Sequence, residues 1–254
     1  MANIAQSEHA LSTGVILTLK NVGKTFSLDR ERIAAVKDIS LSVAPGEFVT
    51  IIGPSGCGKS TLLRIIAGLL PATAGSVRWM KEPKLAFVFQ SFALFPYLTV
   101  AENIGFGLTM QNISKEKQQP VIAELIDEVG LTGFADKHPK ELSGGMKQRV
   151  GIARALAINP TVLLLDEPFS SLDEFTAETL RALLLSVWKR RHITTIMVTH
   201  LIREALELSD RVVVMTPSPG TVEAILPIEL PRPRNKRSKE YFAMEDELLR
   251  LVRG

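Results

Sequence analysis

Gly53-Pro54-Ser55-Gly56-Cys57-Gly58-Lys59-Ser60, followed by Thr61, lies between an apolar run at residues 48–52 and a helix-like stretch, TLLRIIAGLL, that Pro71 stops. The octapeptide fits G-x-x-x-x-G-K-[ST], and a strand before it with a helix after it is the context that pattern requires. Glycines let successive backbone N–H groups turn inward, and the helix start adds positive potential where phosphate oxygens would sit. Lys59 is then placed to reach the β- and γ-phosphates, and the Ser60 hydroxyl to ligate Mg²⁺. The plainer alternative, a Gly-rich turn with an exposed lysine, does not account for both flanking elements.

A phosphate cradle alone hydrolyses nothing. A second apolar run, residues 162–165, ends in Asp166-Glu167. Two carboxylates there fall at the carboxyl edge of a parallel sheet, beside the cradle, where open α/β sheets bind ligands. Asp166 would hold Mg²⁺ through water, and Glu167 would act as the general base that orients and polarises the attacking water. His200 closes the strand predicted at 193–199, and Gln90 the strand predicted at 85–89, so four strand ends converge on one cleft. A neutral amide at Gln90 is suited to sense Mg²⁺ or the water. Phe26 has two readings, a ring stacked on adenine or a core aromatic. Together these features describe a Mg²⁺-dependent nucleoside triphosphatase.

Composition agrees. The chain has 254 residues, 46% apolar and 22% charged, which excludes disorder and supplies material for a core. The net charge of +3 is too small at this length to imply nucleic-acid binding. One cysteine, Cys57, forms no internal disulfide, as in a reducing compartment. The opening MANIAQSEHALSTG has no basic n-region and no apolar h-region, so no signal peptide is expected. Residues 85–114 carry a single charge, Glu102, but polar residues, Pro96 and glycines make them a poor membrane helix.

Along the chain, VILTLKNV and ISLSV alternate like half-buried strands around the charged loop DRER. Short strands at 76–79 and 85–89 complete, with them, an antiparallel sheet beside the main one. From about residue 92 to 159 the apolar spacing is helical, an inserted subdomain. Strand–helix–strand alternation resumes at 162–165, Glu174–Arg191, 193–199 and 211–215, the mark of a parallel, right-handed α/β core. After the turn PSPG come a short hairpin, the basic run PRPRNKRSK and an amphipathic helix. That run holds five cations in nine residues and reads first as a solvated tail, second as a contact with anionic lipid headgroups or a partner's cytoplasmic face, and last as a nucleic-acid contact.

Leu142-Ser143-Gly144-Gly145-Met146-Lys147-Gln148-Arg149 decides among nucleotide hydrolases. Ser143 suits a helix N-cap, and the same helix start is an anion site, so the two roles are compatible. The stretch resembles the signature motif of ATP-binding cassette (ABC) ATPases. Gln90 is similar to that family's Q-loop, Ser171-Leu172-Asp173 to its D-loop and Thr199-His200 to its switch histidine. The resemblance covers about residues 15–230. It implies a P-loop NTPase (RecA-like) core with a parallel sheet, an antiparallel β subdomain and an inserted helical subdomain. A flexible N-terminus, 1–14, would precede it and a basic tail and helix, 231–254, would follow.

Further implications come with the family. ATP and Mg²⁺ would be bound by Phe26, Gly53 through Thr61, Gln90 and Asp166 of one copy, with Ser143, Gly144, Gly145 and Asp173 of a second copy across a homodimer. Lys59, Gln90, Glu167 and His200 would carry the chemistry, and Ser60, Gln90 and Asp166 the metal. SFALFPYLTVAENI resembles the segment with which importer ATPases grip integral membrane permease subunits, with Phe92, Leu94, Phe95, Tyr97 and Leu98 lining the groove; about half of these could instead fill the small helical core. Together with LSGGMKQR and the closing PSPGTVEAILPIELPRPR, it is most similar to the nitrate/sulfonate/taurine importers of bacteria. That places the chain peripherally on the cytoplasmic face of the inner membrane, with a periplasmic binding protein as an indirect partner. Met146 departs from the commoner glutamine, the connection at 80–84 is shorter than usual, and no large regulatory domain follows. The rival class is a soluble ABC ATPase acting on nucleic acid or ribosomes. Such proteins carry coiled-coil inserts or two cassettes, whereas only 112 residues separate Gly53 from Asp166 here.

Overall fold

The computed structural model describes residues 14–28 and 31–253. The N-terminal segment expected at 1–14 therefore lies outside the described residues except for Gly14. Strand β1 (Leu17–Leu28) and strand β2 (Glu31–Val43) form a long antiparallel hairpin. The expected DRER loop is shorter than its charges suggested: Leu28 pairs with Glu31 and Ser27 with Arg32, so only residues 29–30 separate the strands. Then come β3 (Phe48–Ile52), α1 (Lys59–Ile66), β4 (Ala74–Trp79) and β5 (Leu85–Val88). The helical insert contains α2 (Val100–Met110), α3 (Lys115–Glu128) and α4 (Gly144–Ala157). The core resumes with β6 (Val162–Asp166), α5 (Glu174–Arg191), β7 (Thr194–Thr199), α6 (Ile202–Leu208) and β8 (Arg211–Met215), and β9 (Val222–Pro227) and α7 (Lys239–Arg253) close it.

The main sheet has the order β5-β6-β7-β3-β8-β9, parallel except for β9. Every residue of β3, β6 and β7 is buried, as continuous apolar strands covered on both faces must be. Phe48, Leu163, Leu165 and Met197 pack with the helical insert and α5. Val49, Ile51, Leu164 and Ile196 face the other way, onto α1 and the hairpin sheet. That second sheet has the order β2-β1-β4. The strand at 85–89 does not belong beside it as the sequence suggested. It is the edge of the parallel sheet, with Val88 beside Leu165, because Ala86 and Val88 bury against the helical side. Closeness along the chain was a poor guide where a short connection crosses between sheets.

Register then sets the edge. Ile52 lies beside Thr199, and Asp166 beside Val198. The residues after β3, β5, β6 and β7 leave the sheet on one side. At the β7 end, the Thr199 hydroxyl donates to Glu204 Oε2 at 2.5 Å and accepts from the Leu201 N–H at 3.1 Å. Glu204 is 2% exposed, and burial pushes its carboxyl above the ordinary value near 4.5 despite that hydroxyl and the nearby Arg181 and His200.

Three of the five cations of the basic run, Arg232, Arg234 and Lys236, are docked, while Arg237 and Lys239 are exposed. Arg232 pairs with Asp210 at 2.6 Å and lies 4.7 Å over the Trp188 ring. Arg232 and Arg234 donate to the carbonyls of Leu208, Leu206 and Ser209 at the end of α6, where the helix dipole favours cations. Burial lowers the Arg234 pKa to about 10. Lys236 bonds Glu178 and Glu207, each at 2.7 Å. Helix α7 follows and puts Tyr241 and Leu248 against Ile52, Leu206 and Val214, a third apolar cluster. A charge count along the sequence does not reveal carbonyl acceptors gathered by tertiary packing.

Two stability measurements follow. Leu248→Ala, at a fully buried site on α7, should lower the unfolding free energy by about 3 kcal/mol in urea titration. Native Glu204 keeps its proton to higher pH than the unfolded chain. Its contribution is therefore present below about pH 4.5 and lost as pH rises through its native value. The stability difference between Glu204→Gln and the wild-type chain should shift in favour of the variant as pH rises above 4.5, read by thermal unfolding across pH.

Candidate functional site

Strand β3 delivers the chain into the phosphate loop, and Gly58 is the point where it turns into α1. Gly58 takes φ 96°, in the left-handed region, and a Cβ there would stand 2.5 Å from Val36 Cγ1 and 2.6 Å from the Ala35 carbonyl oxygen. Only glycine satisfies both limits. Helix α1 has no acidic residue in its first turn and no side-chain cap, leaving its N–H groups open to an anion. A cavity of about 220 Å³ lies over this point, lined by Ser55, Gly56, Gly58, Lys59, Ser60, Thr61, Ala35 and Glu167. Cys57 is packed beneath, and burial pushes its thiol pKa up, which makes it a packing residue rather than a nucleophile.

Lys59 is 4% exposed. Its ammonium donates to the carbonyls of Gly53 at 2.9 Å and Pro54 at 3.0 Å, and among the described residues no carboxylate pairs with it. A buried cation bonded only to carbonyls is a group waiting for an anion. Beside it the Ser60 hydroxyl donates to Asp166 Oδ1 at 2.6 Å, bringing a hydroxyl and a 2%-exposed carboxylate together from α1 and β6. Arg64 Nη2 lies 3.7 Å from the other Asp166 oxygen. Two hard oxygen donors of this kind suit a divalent cation that keeps most of its shell as phosphate and water.

Glu167 takes φ 44°, a left-handed conformation that few non-glycine residues adopt. Its N–H donates to the Val198 carbonyl at 3.0 Å, which carries the carboxylate across toward β7. There Glu167 Oε2 lies 3.1 Å from His200 Nδ1. Gln90 Nε2 donates to the Ser170 hydroxyl at 3.3 Å, which in turn donates to the Glu167 carbonyl at 3.1 Å. The expected strand-end cluster therefore forms within one chain, with Ser170 as a link that the sequence reading missed. Its position three residues after Glu167 was the available signal.

Other expected residues stay outside the cavity lining. Ser143 caps α4, accepting from the Met146 N–H at 3.3 Å, and Gly144 begins that helix. A Cβ on Gly145 would overlap Thr176 Cγ2, so the start of α4 abuts the start of α5. Asp173 caps α5 through the Thr176 N–H at 3.0 Å, and that bond holds its carboxyl below the ordinary range. Phe26 is half-buried opposite Ile33, with the Lys24 ammonium 5.3 Å from its ring. Ala35, not singled out in the sequence, lines the cavity instead because β2 passes under the loop.

Segment 92–98 is a shaped loop. Asn103, fully buried, accepts from the Phe95 N–H and donates to the carbonyls of Phe95, Leu98 and Thr99. Arg154 donates to the carbonyls of Phe92 and Ala93. Tyr97 is 74% exposed at the tip, whereas Leu94 packs into the helical core. A groove of about 420 Å³ lies alongside; Leu98 lines it from the loop, and Ala101, Phe106, Met110 and Ile122 contribute to its apolar wall. The low charge of 85–114 reflects this wall as much as the loop itself.

A family model described as ABC transporter matches residues 36–170. The nitrate import ATP-binding protein NrtD of Synechocystis sp. is 41% identical, over 94% of this chain and 95% of its own length. The aliphatic sulfonates import ATP-binding protein SsuB 1 of Pseudomonas savastanoi is 52% identical, over 83% and 87% respectively. Among solved structures, the dimeric post-hydrolysis cassette MJ0796 bound to ADP and Pi superposes with a TM-score of 0.76 at 36% identity, covering 84% of this chain and 99% of that one. With the phosphate loop, the paired carboxylates and this fold, the chain belongs to the ABC transporter family and is an ATP-binding ATPase of the cassette type.

Proposed function

We propose that this chain is the ATP-hydrolysing subunit of a bacterial importer for a small solute of the nitrate, sulfonate, taurine or a related kind. In this reading it works as a homodimer on separate membrane permease subunits. The observation that carries the hydrolytic part is the cavity lined by Lys59, Ser60 and Glu167, with Asp166 bonded to the Ser60 hydroxyl and His200 to the Glu167 carboxylate. The importer part is supported by the relatives named above, which cover nearly the whole chain. It is also supported by the exposed Tyr97 and the groove at 98–122, a fit for a short helix of a membrane partner. Among the described residues no helix is long and apolar enough to cross a membrane, so the permease would be a separate chain. Arg232, Arg234 and Lys236 bond to protein partners, which removes three cations from any nucleic-acid surface.

Each residue then has a task. The N–H groups of 55–61 and the Lys59 ammonium bind the phosphate chain and neutralise it. Ser60 and Asp166 would hold Mg²⁺, with Gln90 contributing on the side of the attacking water; the ion supplies charge neutralisation to the phosphate oxygens. Among the described residues no group of three His, Cys, Asp or Glu forms a separate metal site, as suits an ion held jointly with its substrate. Glu167 orients the water and accepts its proton, while His200 holds the carboxylate by its Oε2 and so leaves Oε1 for the water. Phe26 keeps two readings, a ring stacked on adenine or a core aromatic, and it stands outside the lining of the cavity. Ser143, Gly144 and Gly145 open a helix N-terminus, and the family resemblance gives them the γ-phosphate bound by a second copy, with Asp173 at the joint. Closure by ATP and release by hydrolysis then form a ligand-driven two-state cycle, seated on the cytoplasmic face of the inner membrane, with a periplasmic binding protein delivering solute outside.

Glu167→Gln should bind ATP normally yet hydrolyse it at least about a hundredfold more slowly in a phosphate-release assay. Near-normal turnover would remove Glu167 from the mechanism. The same variant with ATP should run as a dimer in size-exclusion chromatography, and adding Ser143→Arg should return it to a monomer. A dimer that survives the arginine would place the interface elsewhere. Co-purification from native membranes should bring down permease subunits, and recovery with nucleic acid instead would favour the soluble class.

A further inference from the structure

Beneath the phosphate loop lies a turn that no nucleotide motif includes. After β8 the chain reverses between Thr216 and Thr221, held by Thr216 N–H to the Thr221 carbonyl at 3.0 Å and Thr221 N–H to the Thr216 hydroxyl at 2.9 Å. Inside this reversal, Gly220 N–H donates to the Ala35 carbonyl at 3.0 Å, and its own carbonyl accepts from the Lys37 N–H at 2.9 Å. The turn is thereby bridged to β2 at Val36. Gly220 is not among the residues with positive φ, so its backbone admits any side chain. The space does not. A Cβ at Gly220 would overlap the carbonyl oxygen of Cys57 and stand 2.6 Å from Met215 Cε. The Cys57 carbonyl carbon lies at 3.2 Å, farther than its oxygen by about one C=O bond length, so that bond points almost straight at Gly220.

A trans peptide sends its N–H opposite to its C=O. With the Cys57 carbonyl aimed at Gly220, the Gly58 N–H aims the other way, and Gly58 is one of the residues that line the cavity. The loop is seated at its start as well, since a Cβ on Gly53 would meet the Met215 carbonyl at 2.8 Å. We propose that Gly220 is a positioning residue for nucleotide binding: by letting the 216–221 turn press on the Cys57 carbonyl, it sets the direction of the Gly58 N–H toward phosphate. This rests on the reading that the loop holds nucleotide. The role belongs to binding rather than to the hydrolytic step, because Glu167 and His200 hang from β6 and β7 and do not touch the turn.

The test compares the full-length chain with Gly220→Ala and with Thr216→Val, which removes the hydroxyl acceptor of the turn without adding an atom against Cys57. ATP and ADP affinities are measured by calorimetry and hydrolysis by steady-state kinetics. Gly220→Ala should weaken ATP and ADP binding alike by about tenfold, the scale of one phosphate hydrogen bond, and raise KM with kcat at saturating ATP within about twofold. Thr216→Val should move affinity in the same direction by a smaller factor, and it decides the matter if the alanine variant does not fold. Unchanged affinity with only a lowered Tm, or a fall in kcat at constant KM, would overturn the proposal. A wild-type chain that bound neither nucleotide would instead overturn the underlying reading of the loop.

Discussion

Lys59 is a cation almost wholly buried, bonded to two backbone carbonyls, and among the described residues it has no carboxylate partner. Burying an ammonium in this way costs free energy unless an anion joins it. The architecture around it supplies what an anion needs: open N–H groups at the start of α1 and glycine turns that admit close approach. A cation held in this way favours the approach of an anion, and the remaining parts of the candidate site are arranged about that point.

Sheet register does the arranging. Because β3, β6 and β7 are parallel and in step, Gly53, Asp166 and Thr199 leave the sheet together, and the side chains after them share one edge. The left-handed Glu167 is the cost of turning its carboxylate from its own strand toward His200. Thr199 and Glu204 lock the backbone on which His200 is carried. Each contact is modest alone, but they constrain one another, which is how a catalytic row is held without a large dedicated core.

The chain divides its polar interactions between two ends. Around α6, cations that look free in the sequence are bound to carbonyls and carboxylates, joining α7 to the sheet. Around α2, the reverse holds: apolar side chains stay accessible along a groove and at Tyr97, while Asn103 and Arg154 bond the loop backbone that presents them. Rigid backbone with exposed apolar side chains is the pattern of a surface prepared for a partner.

Residue order alone determined the chemistry. The strand–glycine loop–helix pattern, the Asp166-Glu167 pair after an apolar run and the LSGG turn each depend on local conformation or composition, which neighbours in sequence encode. Helix α5 was legible in its bounds, Glu174–Arg191, for the same reason, while the capping role of Asp173 emerged only from the structure. Tertiary structure decided what depends on distant segments meeting. It assigned β5 to the parallel sheet, docked Arg232 and Arg234 on the end of α6, built a groove between α2 and α3, and brought Ala35 and Gly220 to the phosphate loop. None of these leaves a local signal, because strand pairing, carbonyl acceptors and steric room belong to pairs of segments far apart in the chain and exist only once the core has closed.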